Sequence, residues 1–223
     1  AEQVTGDDGG VRLVLDDGAT IDADLLLVAA GRTPNTDRMN LGAGGVDTHD
    51  DGRIVADRYG RTSADGVWTL GDISTGHPLK HVANHEAAVV GDNLTTSGEL
   101  RRVDEDLVPA AVFASPQIGT VGRTEQQCRD DRLSYAVSVL PYSDVAYGWA
   151  LEDETGFCKI IAETGTGRLL GAHLMGPQAS TLVQQLVQAM ALDVPARRMA
   201  CLQHWIHPAL PEVIENALRN LEL

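Results

Sequence analysis

The sequence predicts a mixed fold, an α/β segment followed by an antiparallel α+β domain. Three observations predict it. Residues 25–30 (LLLVAA) are apolar at every position, the pattern of a strand covered on both faces. A Gly71-Asp72 corner follows the short apolar run 67–70 and is itself followed by a helical pattern, the order of an α/β unit. Beyond Pro109, strand-like runs separated by turns end in a helix with a single apolar stripe, as in a sheet with helices packed on one side.

Taken in order, residues 4–5 and 11–15 read as strands joined by Gly6-Asp7-Asp8-Gly9-Gly10, and Asp16-Asp17-Gly18 forms a second turn before a strand over 21–30. A meander alone supplies no helices to cover LLLVAA, so residues 1–40 read as the end of a domain that begins before residue 1. Gly31-Arg32-Thr33-Pro34-Asn35 breaks that strand, because Gly permits a tight turn and Pro removes a ladder donor. Short strands are expected at 53–56 and 67–70. A helix over 80–95 is entered just after Pro78, with Val82, Ala83, Ala87, Val90 and Leu94 as its apolar or small positions. Residues 97–106 are polar, without a period, and read as a connector.

Strands are then expected at 111–113, 118–121, 135–140, 157–162 and 169–175, the last two joined by a glycine-containing hairpin loop at 163–167. Helices are expected over 124–130, over 179–191 and from Pro211 to about 221. In the second of these Leu182, Val183, Leu186, Val187 and Met190 recur at helical spacing.

Charge and composition exclude several functions. Seventeen Lys and Arg against 32 Asp and Glu give a net charge of −15, which argues against nucleic acid and an anionic membrane surface as partners. No apolar run approaches the roughly 20 residues that span a bilayer, and the N-terminus carries no basic-then-apolar leader. Cys128, Cys158 and Cys201 form no CxxC or CxxxxC pair, which fits a reducing cytoplasm, and each is expected to be a small buried hydrophobe. Met175 and Met190 are expected in the core, and His204 and Trp205 in packing. His49, His77, His81, His85 and His173 lack a metal-ligand pattern, so no metal is expected.

Two places carry chemistry. Asp72, at the C-terminal end of a strand, can accept hydrogen bonds from the vicinal hydroxyls of a ribose or ribitol, and the helix beginning near Pro78 and His81 offers free N–H groups to an anion. Alone, the dipeptide reads as an ordinary turn. The second place is His207-Pro208-Ala209-Leu210-Pro211-Glu212. Its two prolines argue for a rigid turn opening the last helix, with Glu212 in the first turn. Such a turn can bring the carboxylate onto one imidazole nitrogen and leave the other for acid–base work near neutral pH. A solvent-facing histidine at a helix start is the alternative.

Together, LLLVAAGRTPN (25–35), GRIVADRYGRTSADGVWTLGD (52–72), LKHVANHEA (79–87), VFASPQIGTVGRTE (112–125), LLGAHLMG (169–176) and HPALPE (207–212) resemble the class I pyridine nucleotide–disulfide oxidoreductases in order and spacing. The resemblance implies the tail of nucleotide-binding domains, with residues 1–40 ending an NADPH domain and 41–107 belonging to an FAD domain. It implies an antiparallel-sheet dimerisation domain with packed helices over 108–223, and a homodimer formed through it. It implies that Asp72 binds the flavin ribityl chain, and that Leu79, Lys80 and His81 present their backbone to the pyrimidine edge of the isoalloxazine. It implies that His207 and Glu212 serve the partner subunit's active site, where His207 protonates a leaving thiolate. Segments 147–157 and 205–218 look most like the branch that reduces mycothiol disulfide.

The chain lacks the GxGxxG fingerprints for FAD and NADPH and the CxxxxC redox pair of that family. It is therefore expected to be roughly the C-terminal half of an enzyme and inactive alone. Lipoamide dehydrogenase-like or mercuric reductase-like activity, or a non-catalytic dimerisation module, are the alternatives.

Overall fold

Turn chemistry builds the first sheet. In the computed structural model, which describes residues 1–7 and 9–223, β1 (Gln3–Asp7), β2 (Gly10–Val14) and β3 (Thr20–Ala23) form an antiparallel meander. The turn expected between the first two strands includes Asp8, which lies outside the described residues. Arg12 and Asp22 are register partners and pair at 2.6 Å across the exposed face, a contact of modest worth.

The strand expected over 21–30 stops at Ala23. Leu25 and Leu27 are 88% and 87% exposed, and the run pairs with no strand among the described residues. A strand apolar on both faces needs a neighbour for its N–H and C=O groups and a cover for each face, and the described residues supply neither.

The strands expected at 53–56 and 67–70 are reduced to the isolated bridges Thr48↔Ile54, Ala56↔Thr62 and Arg61↔Trp68. Aspartate side chains hold the turns at the ends of these bridges. Asp57 accepts from the N–H groups of Tyr59 and Arg61, and Asp51 accepts from that of Arg53. Helix α1 (Lys80–Thr95) follows, burying Val82, Glu86, Val89, Val90 and Asn93. Leu94, expected on that face, is exposed because it lies about a quarter of a turn from the centre of the stripe at i, i+4, i+7, i+8 and i+11. Asn93 takes a place in the stripe by fixing the connector: its amide donates to Tyr59 O and Arg101 O, and its carbonyl accepts from Arg101 N–H.

The second half is a five-stranded antiparallel sheet of β4 (Ala110–Val112), β5 (Gln117–Gly122), β6 (Tyr135–Pro141), β7 (Phe157–Glu163) and β8 (Leu169–Gly176), in the order β4-β5-β8-β7-β6. Alternation along β7 sends Ile160 and Ala162 to one face and Ile161 to the other; in β8 Ala172 and Leu174 share the first face, while the register shift opposite Ile161 and Ala162 leaves Leu170 on the second, beside Cys128 of α2 (Glu125–Asp130). The strand β8 approaches β5 so closely that a Cβ on Gly171 would lie 1.9 Å from the carbonyl oxygen of Arg123. Helix α2 opens with a reciprocal capping box between Thr124 and Gln127.

Two short helices lie outside the sequence expectation, α3 (Ala146–Ala150) between β6 and β7, and α5 (Ala196–Leu202) beyond the last strand. Helices α4 (Ala179–Ala191) and α6 (Glu212–Arg219) cover the first face. Leu182, Val183 and Leu186 of α4, with Val213, Ile214, Ala217 and Leu218 of α6, complete the core. Each large side chain so buried contributes about 1.5–3 kcal/mol. Val187 and Met190 pack against that core while half-buried.

Cys128 and Cys158 are buried, but Cys201 is exposed, since α5 buries only Ala196, Met199 and Ala200. His204 is exposed as well. The chain leaves α5 extended, so adjacent side chains diverge; Trp205 packs, donating its ring N–H to Ala200 O at 3.1 Å, and His204 faces away from the core. Among the described residues no helix is long and apolar enough to cross a membrane.

Candidate functional site

The first cluster grows from the Gly71 corner. Gly71 has φ +79°, a left-handed conformation that favours glycine, and its carbonyl accepts from the N–H groups of Ser74 and Thr75. The chain therefore reverses directly after Leu70 and sets Asp72 beside the loop of residues 31–35. There Arg32 Nη1 lies 3.0 Å from Asp72 Oδ2 and 3.4 Å from the carbonyl of Pro78. The Asp72 side chain is 45% exposed and borders a cleft of about 780 Å³ that Arg32, Asn35, Arg53, Thr75 and Pro78 also line.

Leu79 precedes α1 in extended conformation and offers no side-chain cap, so the first-turn amides of the helix stay open at its positive end. The side chains of Lys80 and His81 turn elsewhere. The ammonium of Lys80 donates to Asn84 Oδ1, and His81 Nε2 lies 2.7 Å from Pro109 O. The side chains of Lys80 and His81 are thus engaged elsewhere, and the start of α1 keeps its backbone amides open.

Glu86 belongs to this cluster and sequence reasoning missed it. It is 5% exposed, and its Oε2 accepts from Gly71 N–H at 2.5 Å. Burial raises its carboxyl above the ordinary range, against the opposing hydrogen bonds from Gly71 and the Thr75 hydroxyl. The available signal was a carboxylate four residues after Val82, on the buried stripe of a helix.

The second cluster lies where α6 begins. Leu210 is buried and anchors the turn, and Pro211 precedes the helix with helical φ. This sets Glu212 in the first turn with both oxygens used. Its Oε1 lies 2.8 Å from His207 Nδ1, and its Oε2 accepts from Ala209 N–H at 3.1 Å. The peptide between His207 and Pro208 is cis. Burial opposes ionisation of Glu212, but the hydrogen bonds from His207 and Ala209 outweigh it and hold the carboxyl below its usual range. The carboxylate is 17% exposed and the imidazole 68% exposed, so the ring is held from beneath while Nε2 faces outward.

The structure thus brings His207 to Glu212, and Asp72 to the loop that leads into Leu79, Lys80 and His81. Among the described residues no hydrogen bond or ion pair links the two clusters, and no group of three His, Cys, Asp or Glu residues is placed to hold a metal ion.

Comparison with known proteins gives consistent results over both halves. Residues 1–88 match the family model described as pyridine nucleotide-disulphide oxidoreductase, and residues 108–218 match the model described as its dimerisation domain. The chain is 56% identical over 216 residues to mycothione reductase of Mycobacterium tuberculosis, covering 95% of this chain and 47% of that protein. It is 33% identical over 225 residues to dihydrolipoyl dehydrogenase 3 of Pseudomonas putida, covering 99% and 47%.

Among solved structures, LpdA from Mycobacterium tuberculosis superposes with a TM-score of 0.86 at 26% identity, covering 98% of this chain and 47% of that one. The HOCl-induced flavoprotein disulfide reductase RclA from Escherichia coli gives 0.87 at 27% identity, covering 97% and 49%. The chain spans about half the length of the curated relatives it matches.

Proposed function

Because the chain belongs to the pyridine nucleotide-disulphide oxidoreductase family, we propose that it forms the dimerisation-bearing half of an FAD- and NADPH-dependent reductase of mycothiol disulfide. The observation that carries this reading is the His207–Glu212 pair, 2.8 Å apart with the imidazole turned outward. A ring fixed through Nδ1 and open at Nε2 suits a proton donor to a group supplied from elsewhere.

In this reading residues 1–40 end the NADPH domain, 41–107 belong to the FAD domain and 108–223 form the homodimer interface. His207 then reaches the partner subunit's dithiol centre. When the mycothiol disulfide is split by thiolate attack, one sulfur leaves with the bond's electron pair as a thiolate, and His207 Nε2–H gives it a proton. Glu212 holds the ring in the tautomer and orientation that this transfer needs.

Flavin, when bound, carries two electrons from the nicotinamide to the redox disulfide. The residues of the first cluster fit it. Asp72 keeps a carboxylate oxygen that Arg32 does not occupy, suited to ribityl hydroxyls, and the open amides at the start of α1 suit the negatively charged edge of a reduced isoalloxazine. We place the reaction in the cytoplasm, which the unpaired buried thiols of Cys128 and Cys158 support.

The test is the full-length protein with three substrates. It should purify as a flavin-containing dimer whose colour NADPH bleaches, and mycothiol disulfide should exceed lipoamide and mercuric ion in kcat/KM by at least about tenfold. A flavin-free protein, or one that prefers lipoamide or mercuric ion, contradicts the proposal.

A further inference from the structure

We propose that Glu86 is a positioning residue for the flavin, clamping the Gly71 corner so that Asp72 and the start of α1 keep a fixed separation; this rests on the flavoenzyme reading above. Glu86 sits on the buried stripe of α1, where its neighbours in the stripe Val82, Val89 and Val90 are apolar. An ionisable group in such a place is costly to bury unless its oxygens are satisfied. Glu86 directs them at one loop. Oε2 accepts from the N–H of Gly71 at 2.5 Å, and the carboxylate also takes the hydroxyl of Thr75, itself 4% exposed.

The bonded stretch, 71–75, is the first part of the loop that joins Asp72 to Leu79. The far end of that loop is the first turn of α1, and Glu86 lies on the same helix. A single buried carboxylate therefore ties the corner to the helix whose first-turn amides are uncapped, without itself touching a ligand. The other contact that steadies Asp72 is weaker in this respect, because the Arg32 side chain is 71% exposed and free to adjust. Behind the corner lies a cavity of about 190 Å³ lined by Thr69, Ser74, Thr75, Glu86, Val90 and Glu105. It gives the loop somewhere to move once the carboxylate is removed.

The experiment uses the full-length protein and three variants, Glu86→Ala, Glu86→Gln and Thr75→Val, each stripped of flavin and titrated with FAD. Two quantities are read, the FAD dissociation constant by flavin fluorescence and the rise in Tm that saturating FAD produces. A residue that only stabilises the fold lowers Tm with and without FAD alike, whereas loss of a positioning contact shrinks the FAD-induced rise. Glu86→Ala should weaken FAD binding by about tenfold or more, the scale of a hydrogen bond to a charged group, and shrink that rise. Glu86→Gln keeps an acceptor for Gly71 N–H and should stay within about threefold of the parent.

An alanine variant that binds FAD within twofold of the parent, or a glutamine variant as impaired as the alanine one, overturns the clamp. If Glu86→Ala fails to fold, Thr75→Val decides: weaker FAD binding supports the clamp and unchanged binding overturns it. A parent protein that neither contains nor binds FAD overturns the flavoenzyme reading instead.

Discussion

In the proposed mechanism His207 and Glu212 divide the work of one proton transfer: the exposed histidine would supply the proton, and the largely buried glutamate orientation and charge. In the full-length enzyme, His207→Ala should slow reduction of the disulfide substrate by on the order of 10²-fold or more while NADPH still reduces the flavin at the parent rate, both read by stopped-flow absorbance. Glu212→Gln keeps the hydrogen bonding but loses the charge, and should cost about tenfold in the same step. If both half-reactions fell equally in either variant, the assigned roles would be wrong.

A second carboxylate makes an electrostatic prediction. Glu125 accepts from Lys159 Nζ at 2.6 Å and from Arg129 at 2.6 Å, and these contacts bring its carboxyl down from 4.5 to about 2. A depressed folded-state value stabilises the fold above the unfolded value and is lost as pH falls through the folded one. Acid unfolding should therefore show a component between about pH 4.5 and 2 that Lys159→Met diminishes. An unchanged acid profile in that variant would remove Glu125 from the account.

Among elements, α4 and the β6–β7 connection show what sequence patterning conveys and what it misses. The stripe of α4 was legible because Leu182, Val183 and Leu186 recur at helical spacing, and all three are in the core. Leu186→Ala should cost about 2–5 kcal/mol, seen as a lower unfolding midpoint. The connection is organised by Tyr142, which is fully buried among Gly148, Gly156 and Gly176; a Cβ on Gly148 would come within 1.9 Å of the Tyr142 carbonyl oxygen. Nothing periodic announces such an anchor, so α3 beside it was missed.

The Tyr142 hydroxyl is buried without a hydrogen-bond partner among the described residues, and burial pushes its ionisation well above the ordinary phenol range. Removing an unsatisfied buried hydroxyl removes a desolvation cost. Tyr142→Phe should leave the unfolding midpoint unchanged or raise it, and a fall of several degrees would show that the hydroxyl makes a contact in the folded protein.

The LLLVAA run makes the opposite point. Its composition is that of a covered strand, yet strand formation depends on partners that local sequence does not contain.

At the scale of the whole molecule, two clusters of unlike chemistry sit on two unlike architectures. The His207 and Glu212 turn was readable because proline restricts its backbone and six residues suffice to define it. The corner at Asp72 was readable only as a motif. Its support by Glu86 depends on a contact between residues 15 apart in sequence, and its ion pair with Arg32 on residues 40 apart, which no local pattern encodes. The family relationship joins the clusters into one proposed catalytic cycle, in which the exposed imidazole works for a second subunit.

Subunit complementation tests that claim most directly. Subunits carrying His207→Ala and subunits whose redox cysteine pair has been replaced by serine are each expected to be inactive as homodimers. A heterodimer of the two contains one site that combines intact cysteines with the other subunit's intact imidazole, so it should recover roughly half the parent activity per dimer. Heterodimers as inactive as either homodimer would mean that the histidine serves its own subunit, and the donation across the two-fold axis would be wrong.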